Sequence, residues 1–205
     1  MLFRSGEWSV IQAVAQGLEW GHGWEAPAAQ RLRFVLDFAY ATGLRIGELV
    51  GATLGQIETD PHGDHWLHLV GKGSKTGKVA LPPLARAAVD RYLMQRKFPI
   101  TPARWDPRTP LIGSLDQEEA AGITATRLWS VMRRFFTKVA EVIEADSPAT
   151  AEKLRRASPH WMRHYLPFLT MSCEWRARSG MTQFRWLRRA AAARLPDIVW
   201  RPTGC

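Results

Sequence analysis

The sequence predicts a mostly helical α+β fold with a small antiparallel β-sheet, and three observations support this class. Segment 124–145 repeats its apolar residues with the 3.6-residue period of a helix over about five turns. Short strand-like runs at 65–70 and 78–81 are separated by a glycine-rich turn, which is typical of a hairpin. The order of helices, a small hairpin sheet and further helices is that of an α+β domain.

Three helices are predicted before the sheet, over residues 5–20, 27–40 and 45–50. Ser5 suits an N-cap, and Pro27 suits the first turn of a helix. Thr42-Gly43 ends the second helix, and Arg45 opens the third. The residues expected to face the core in the first two helices are Trp8, Ile11, Val14, Leu18, Leu32, Val35, Phe38 and Ala39.

The sheet and the helices after it follow from turn residues and period. Residues 56–58 are expected to complete the antiparallel sheet, which Pro82 and Pro83 end. A helix follows over 84–97, and two more begin at Pro148 and Pro159. The residues expected to face the core here are Leu84, Ala88, Val89 and Leu93, then Leu128, Val131, Met132, Phe135, Val139, Val142 and Ile143.

Charge is the compositional feature that bears most on function. The 205 residues carry a formal net charge of +9, which favours a polyanionic partner, nucleic acid first and an anionic membrane surface second. A basic protein without such a partner is the alternative. No run approaches the ~20 apolar residues of a membrane span, and the N-terminus lacks the apolar region of a signal peptide, so we expect a cytoplasmic protein without a membrane partner.

Three short stretches carry the candidate chemistry: ATGLRIGELV (41–50), GKGSKTGKVALP (71–82) and SPHWMRH (158–164). They supply Arg45, Lys72, His160 and Arg163. Two guanidiniums, an ammonium and an imidazole converging on one point would bind an oxyanion with several exposed oxygens, which means a phosphate. His160 and Arg163 lie three residues apart and share a face if this segment is helical.

These stretches resemble the motifs of the tyrosine recombinase (phage integrase) family over roughly residues 27–164. The resemblance implies a recombinase catalytic domain that uses double-stranded DNA, with other recombinase subunits as possible partners and with no cofactor. It implies that Arg45 contacts the scissile phosphate and that Lys72 donates a proton to the leaving 5′ oxygen. His160 and Arg163 would stabilise the transition state, and His164 would orient them.

Two supporting residues complete the predicted site. Glu48, three residues after Arg45, can orient the guanidinium from behind, and Lys75 is expected to contact the DNA backbone. Each motif also has a plainer interpretation. Arg45 and Glu48 could form an ordinary surface ion pair, Lys72 could be a solvated turn lysine, and His160 a buried histidine on an amphipathic turn.

A second cluster of polar residues could bind a metal instead. Asp60, His62, Asp64, His65 and His68 fall within nine positions. The two adjacent strand histidines alternate poorly, however, and DPHGD is typical of a polar hairpin turn. We therefore predict a turn and no metal site.

The resemblance stops after His164. The family continues with a second His or Trp and a nucleophilic Tyr, but no Tyr follows Tyr165 here. Residues 165–205 contain seven Arg against two acidic residues, together with both cysteines, and Trp186 near the expected second His lacks the surrounding motif. We therefore divide the chain into a core, 1–164, and an aberrant basic tail, 165–205, which a frameshift would explain. The N-terminal DNA-clamping domain of the family is also expected to be absent.

Three functions remain open from the sequence. The favoured one is a DNA-binding recombinase core, inactive alone because its nucleophile is missing. A second is an active recombinase that receives a Tyr from a neighbouring subunit. The third is an unrelated basic helical nucleic-acid-binding protein without catalytic activity.

Overall fold

The structure is a computed structural model that describes residues 5–70, 76–115 and 121–158. All of these residues lie within one compact unit of the chain. Seven helices and three strands are described: α1 (Ser5–Gln16), α2 (Leu18–Gly21), α3 (Ala26–Thr42), α4 (Ile46–Val50), β1 (Ile57–Thr59), β2 (His65–Val70), β3 (Thr76–Leu81), α5 (Pro83–Gln95), α6 (Ala125–Ile143) and α7 (Pro148–Arg155). No helix among these residues is long and apolar enough to cross a membrane.

The core lies between α6 and the helices packed around it. Thr124 caps α6 by accepting a hydrogen bond from the Arg127 N–H at 3.2 Å, as its side-chain chemistry favours. Helix α6 packs against α1, α4 and α7, while α3 packs against α5. The fully buried residues of α6 are Leu128, Met132, Phe135, Phe136, Val139 and Ala140. The mostly helical fold predicted from the period of this segment is therefore confirmed.

Two residues were assigned to the wrong side of their helices. Val142 is 45% exposed, although the helical period placed it inward, whereas the adjacent Ile143 in the same turn is only 8% exposed. Leu84 is 44% exposed, and Ala85 is buried in its place. The buried residues of α5, Ala85, Ala88, Val89, Tyr92 and Leu93, have the spacing of one helix face, and Leu84 falls outside that face.

The sheet has the predicted antiparallel order β1-β2-β3. Ile57, Leu67 and Val79 are aligned across it, and this face contributes buried Leu67 and Leu81 to the core. Residue 56, predicted to lie in the first strand, ends a short 3₁₀ turn instead. The sheet therefore attaches to the helices by one face and leaves the other face exposed.

The first predicted helix is divided into two. Gly17 separates α1 from the single turn of α2, and Leu18, which has no exposed surface, fixes α2 against the core. Helix α1 is also held at its other end, where Glu7 accepts hydrogen bonds from the Lys153 ammonium of α7 at 2.7 and 2.9 Å. Both side chains are at most 15% exposed, so this pair joins two helices that are distant in sequence.

Two of the three tyrosines are packing residues, as predicted. The Tyr40 ring stacks on Trp8 with ring centroids 4.4 Å apart. Tyr92 is 4% exposed and stacks on Phe34, also at 4.4 Å. Tyr165 lies outside the described residues. The phenols of Tyr40 and Tyr92 are thus used by the core.

Candidate functional site

The corner between α3 and α4 presents the first candidate residue. Gly43 has φ 66°, a left-handed conformation that glycine adopts without strain, and its N–H donates to the Ala39 carbonyl at 2.8 Å. Leu44, only 8% exposed, packs into the core immediately before Arg45. Buried Leu49 holds the other side of the corner. The backbone of Arg45 is therefore fixed by burial on both sides.

The Arg45 side chain points to solvent and is oriented by Glu48. The guanidinium is part of a side chain that is 61% exposed, and its NH1 donates to Glu48 Oε1 at 2.9 Å. The other carboxylate oxygen, Oε2, accepts a hydrogen bond from the Arg45 backbone N–H at 2.8 Å. Glu48 thus closes the N-terminus of α4 and holds the guanidinium with the same carboxylate, which is the contact expected from the sequence.

This arrangement leaves part of the guanidinium available to a ligand. Only NH1 of Arg45 donates to a carboxylate within the described ranges, so Nε and NH2 retain N–H groups for an oxyanion. Helix α4 has only five residues, so the charge of Arg45 dominates here rather than a helix dipole.

The hairpin between β2 and β3 positions the second motif. Val70 pairs with Thr76 at the end of the two strands, and Val70 is 64% exposed. Lys72 and Lys75 lie in the five-residue connection between these two positions, outside the described residues. Their proposed contacts with DNA remain predictions.

The third motif also lies beyond the described part of the chain. His160, Arg163 and His164 follow α7, and the description ends at Ser158. Ala157 has no exposed surface, so the start of this segment is packed into the core. The convergence of these three residues with Arg45 remains a prediction.

The polar cluster proposed as a rival metal site forms a hairpin turn. One Asp60 carboxylate oxygen accepts the backbone N–H groups of His62 and Asp64, both at 2.9 Å. The other oxygen accepts the Trp66 indole N–H at 3.0 Å. These contacts, the indole donor first, hold the pKa of Asp60 below its ordinary value. The carboxylate is therefore occupied by the turn itself.

The two strand histidines point to different partners. His65 Nδ1 lies 2.9 Å from the Thr59 hydroxyl. His68 Nε2 lies 2.6 Å from a carboxylate oxygen of Glu58 on the neighbouring strand. No group of three metal-binding side chains occurs within residues 5–70, 76–115 and 121–158.

One basic cluster was not predicted from the sequence. The Arg134 guanidinium lies over the Trp24 indole, 4.3 Å from the ring centroid, and Lys138 follows one turn later on α6. The spacing of Arg134 and Lys138 was visible in the sequence as a basic pair on one helix face. Their proximity to Trp24 could not be seen in the sequence, because this indole ring comes from the connection between α2 and α3.

Comparisons with known proteins agree with the resemblance. A sequence model of the phage integrase family matches residues 12–168. The tyrosine recombinase XerD of Bifidobacterium longum is 30% identical over 141 residues, 67% of this chain and 40% of that protein. XerD of Pseudomonas aeruginosa is 32% identical over 139 residues, 67% of this chain and 43% of that protein. The chain thus spans about two fifths of the length of these curated relatives.

Solved structures show the same fold. The pre-cleavage complex of the site-specific recombinase XerH with its difH substrate matches with a TM-score of 0.56 and 17% identity, over 88% of this chain and 44% of that one. The Tn1549 transposon integrase in complex with transposon right end DNA matches with a TM-score of 0.54 and 18% identity, over 91% of this chain and 56% of that one. These likenesses confirm the predicted fold class.

Proposed function

Because the chain belongs to the phage integrase family, we propose that it is the DNA-binding catalytic core of a site-specific tyrosine recombinase. The observation that carries this proposal is the presentation of Arg45, whose guanidinium is exposed while both sides of its backbone are buried. Membership of the family also makes the third alternative, an unrelated basic helical protein, wrong.

The proposed site binds the scissile phosphate through Arg45, Lys72, His160 and Arg163. Arg45 donates to the non-bridging oxygens, and its orientation depends on the two contacts with Glu48. Lys72 protonates the leaving 5′ oxygen, and His160 and Arg163 add positive charge to the five-coordinate transition state. His164 orients this pair.

Double-stranded DNA is the proposed substrate. The net charge of +9 favours a polyanion, and the XerH and Tn1549 integrase structures are complexes with DNA. Lys75 adds a backbone contact beside the site. Neighbouring recombinase subunits are the proposed protein partners, and no cofactor is required by this chemistry.

We further propose that the chain alone does not cleave DNA. The reaction needs a phenolate that attacks phosphorus, forms a 3′-phosphotyrosine and expels the 5′ oxygen, which takes up a proton to become a hydroxyl. Tyr40 and Tyr92 are stacked against other rings. Burial also raises the pKa of Tyr92, which disfavours its phenolate. Tyr165 directly follows His164 in the proposed phosphate-binding segment, too near to attack that phosphate in line.

Two measurements on one nicked suicide duplex test this function. A gel-shift titration is expected to show binding at low salt that weakens steeply as salt increases, because phosphate contacts release counterions. Denaturing electrophoresis of the same samples is expected to show no covalent protein–DNA band. Absence of binding at low salt would contradict the DNA-binding core, while a covalent band mapped to any of the three tyrosines would contradict the inactivity.

Complementation separates an inactive core from one that accepts a nucleophile in trans. The chain is mixed with a full-length recombinase that binds the same duplex and carries a labelled Tyr-containing tail. The proposal predicts no cleavage of the strand bound by this chain. Cleavage that depends on Arg45 would instead support the second alternative, an active subunit completed by its neighbour.

A further inference from the structure

A surface pocket of about 490 Å³ lies between the α2–α3 connection and the second half of α6. The residues that line it include His22, Trp24, Arg134, Thr137, Lys138 and Glu141. We call this the Arg134 pocket. It belongs to a different part of α6 from the capped N-terminus.

Arg134 differs in its partner from the arginines of the fold that form ion pairs. Arg33 and Arg86 donate to carboxylates at 2.7 Å, and Arg91 donates to one at 3.4 Å. Arg134 instead lies over the Trp24 ring at 4.3 Å, and no carboxylate of the described ranges is within ion-pair distance of it. A stacked guanidinium keeps its N–H groups in the plane of the fork, pointing away from the ring face. The orientation is thus fixed without neutralising the charge.

The other groups of the pocket add donors. Lys138 lies one helical turn after Arg134 and contacts Glu141 at 2.9 Å, which occupies one of three ammonium donors. Thr137 and His22, which carry a hydroxyl and an imidazole, line the same pocket. One carboxylate therefore faces two permanent cations, so the pocket carries an excess of positive charge and of hydrogen-bond donors.

We propose that the Arg134 pocket binds a phosphodiester group of duplex DNA, a contact additional to that of Arg45. This inference rests on the proposed DNA-binding function. A planar fork, an ammonium and a hydroxyl suit the several oxygens of a phosphate, which accept from different directions at once. The pocket lies at the surface and is shared by two elements, so a backbone phosphate can enter it without leaving the duplex.

A salt-dependent binding assay with a matched control tests the contact. Arg134→Gln removes the pocket's stacked cation. Arg133→Gln removes its neighbour on α6, which also lies over an indole, Trp129, at 5.4 Å, has no carboxylate partner among the described residues and does not line the pocket. Both variants keep the core, and thermal unfolding checks that they fold equally.

Arg134→Gln is expected to weaken duplex binding about three- to tenfold and to reduce the slope of log K against log salt by about 0.9, the loss of one phosphate contact. Arg133→Gln is expected to change affinity less than about twofold, as a single charge in the general field does. Equal losses in the two variants, or none in Arg134→Gln, overturn the proposal.

A second measurement separates this inference from the proposed function. The indole N–H signal of Trp24, assigned with Trp24→Phe, is followed by NMR during titration with the duplex and with inorganic phosphate. We expect it to shift with both ligands in the wild type and in Arg45→Gln, but not in Arg134→Gln. DNA binding without a Trp24 shift overturns the pocket alone. A shift with inorganic phosphate in a chain that binds no DNA overturns both the DNA-binding function and the phosphodiester ligand, and indicates an acidic partner of another kind.

Discussion

Arg45 and Arg134 are both exposed arginines, but the fold orients them by opposite means. Arg45 is held by the Glu48 carboxylate, and Arg134 is held by the Trp24 ring. The carboxylate compensates the charge that it orients, whereas the indole leaves the charge intact. Orientation and net charge are therefore separate properties of an arginine, and a phosphate site needs both.

The comparison explains why the proposed catalytic site needs several cations. Arg45 and Glu48 together have no net charge, so the pair adds little long-range attraction for a phosphate, although the guanidinium can still donate to a phosphate that reaches it. Lys72, His160 and Arg163 would supply the positive charge that this pair lacks. The Arg134 pocket needs fewer cations because Trp24 contributes orientation at no electrostatic cost.

The largest expected effect is a loss of stability when the core around α6 is disrupted, because both the Arg45 corner and the Arg134 pocket depend on this helix. Helix α6 carries Arg134 and packs against α4, which follows Arg45. Phe135 has no exposed surface, so Phe135→Ala should lower the free energy of unfolding by about 3–5 kcal/mol. Chemical denaturation measures this loss. Val142→Ala on the same helix is the control, with a change within about 0.5 kcal/mol because Val142 is 45% exposed. Similar losses in both would contradict the described faces of α6.

Removing the carboxylate-held arginine should have the next largest effect. Arg45→Gln is expected to weaken duplex binding by about 1.5–3 kcal/mol, roughly ten- to a hundredfold, if the guanidinium makes a charge-assisted contact with phosphate. Arg108→Gln, an exposed arginine of the connection before α6, should change affinity much less. Fluorescence anisotropy at fixed salt compares the two. Equal losses of affinity in the two variants would mean that DNA responds only to the overall positive charge and that Arg45 makes no specific contact with phosphate.

Two glycines at the Arg45 corner should respond with opposite signs. Gly43 has φ 66°, so Gly43→Ala should destabilise the fold by about 1–2 kcal/mol. Gly47 lies inside α4 with no heavy atom near the position of an added Cβ, and Gly47→Ala should stabilise by up to about 1 kcal/mol. Thermal unfolding of the two variants measures both changes in stability. If Gly43→Ala stabilised the fold, the left-handed conformation of residue 43 would not be what requires glycine at this corner.

The smallest expected effect is on the pH dependence of stability. It distinguishes Asp60, whose carboxylate accepts several hydrogen bonds, from Asp37, whose carboxylate is buried with only weak contacts. The hydrogen bond from Trp66 and the two backbone donors lower the pKa of Asp60, so its ionised form stabilises the turn. This contribution is present above the ordinary pKa of an aspartate and is lost as pH falls through the lower folded-state pKa. The stability advantage of the wild type over Asp60→Asn should therefore shrink as pH falls from the ordinary pKa of an aspartate toward the lowered folded-state pKa of Asp60.

Asp37 provides the control of opposite sign. Burial raises its pKa, with partial compensation by Arg91 and by Gln12, whose contacts are both 3.4 Å long. Its ionised form therefore destabilises the fold, and this cost disappears as pH falls through the raised pKa. The wild type should gain stability relative to Asp37→Asn as pH falls from above the raised pKa of Asp37 to the ordinary aspartate pKa, which is a higher range than the one in which it loses stability relative to Asp60→Asn. Urea denaturation at several pH values measures both stability differences, wild type against Asp60→Asn and wild type against Asp37→Asn. If both differences change in the same direction as pH falls, the opposite pKa shifts of Asp60 and Asp37 are contradicted.

Local signals determined much of this protein. The helical period of 124–145 predicted α6, Thr42-Gly43 predicted the corner, and the position of Arg45 beside Glu48 followed from spacing alone. These features depend on contacts between residues three or four apart, which the chain makes as soon as a helix or turn forms. The motif around Arg45 also predicted the family.

Tertiary structure decided the rest. Which flank of the apolar stripe of α6 is covered depends on the helices that pack around it: Val142 is 45% exposed, although the period placed it inward, while Ile143 is 8% exposed. The stacking of Arg134 on Trp24 joins residues more than a hundred positions apart. Its partner is chosen by packing between elements that no local period encodes, so an arginine that reads as an ordinary surface charge becomes an oriented and uncompensated one only in the folded chain.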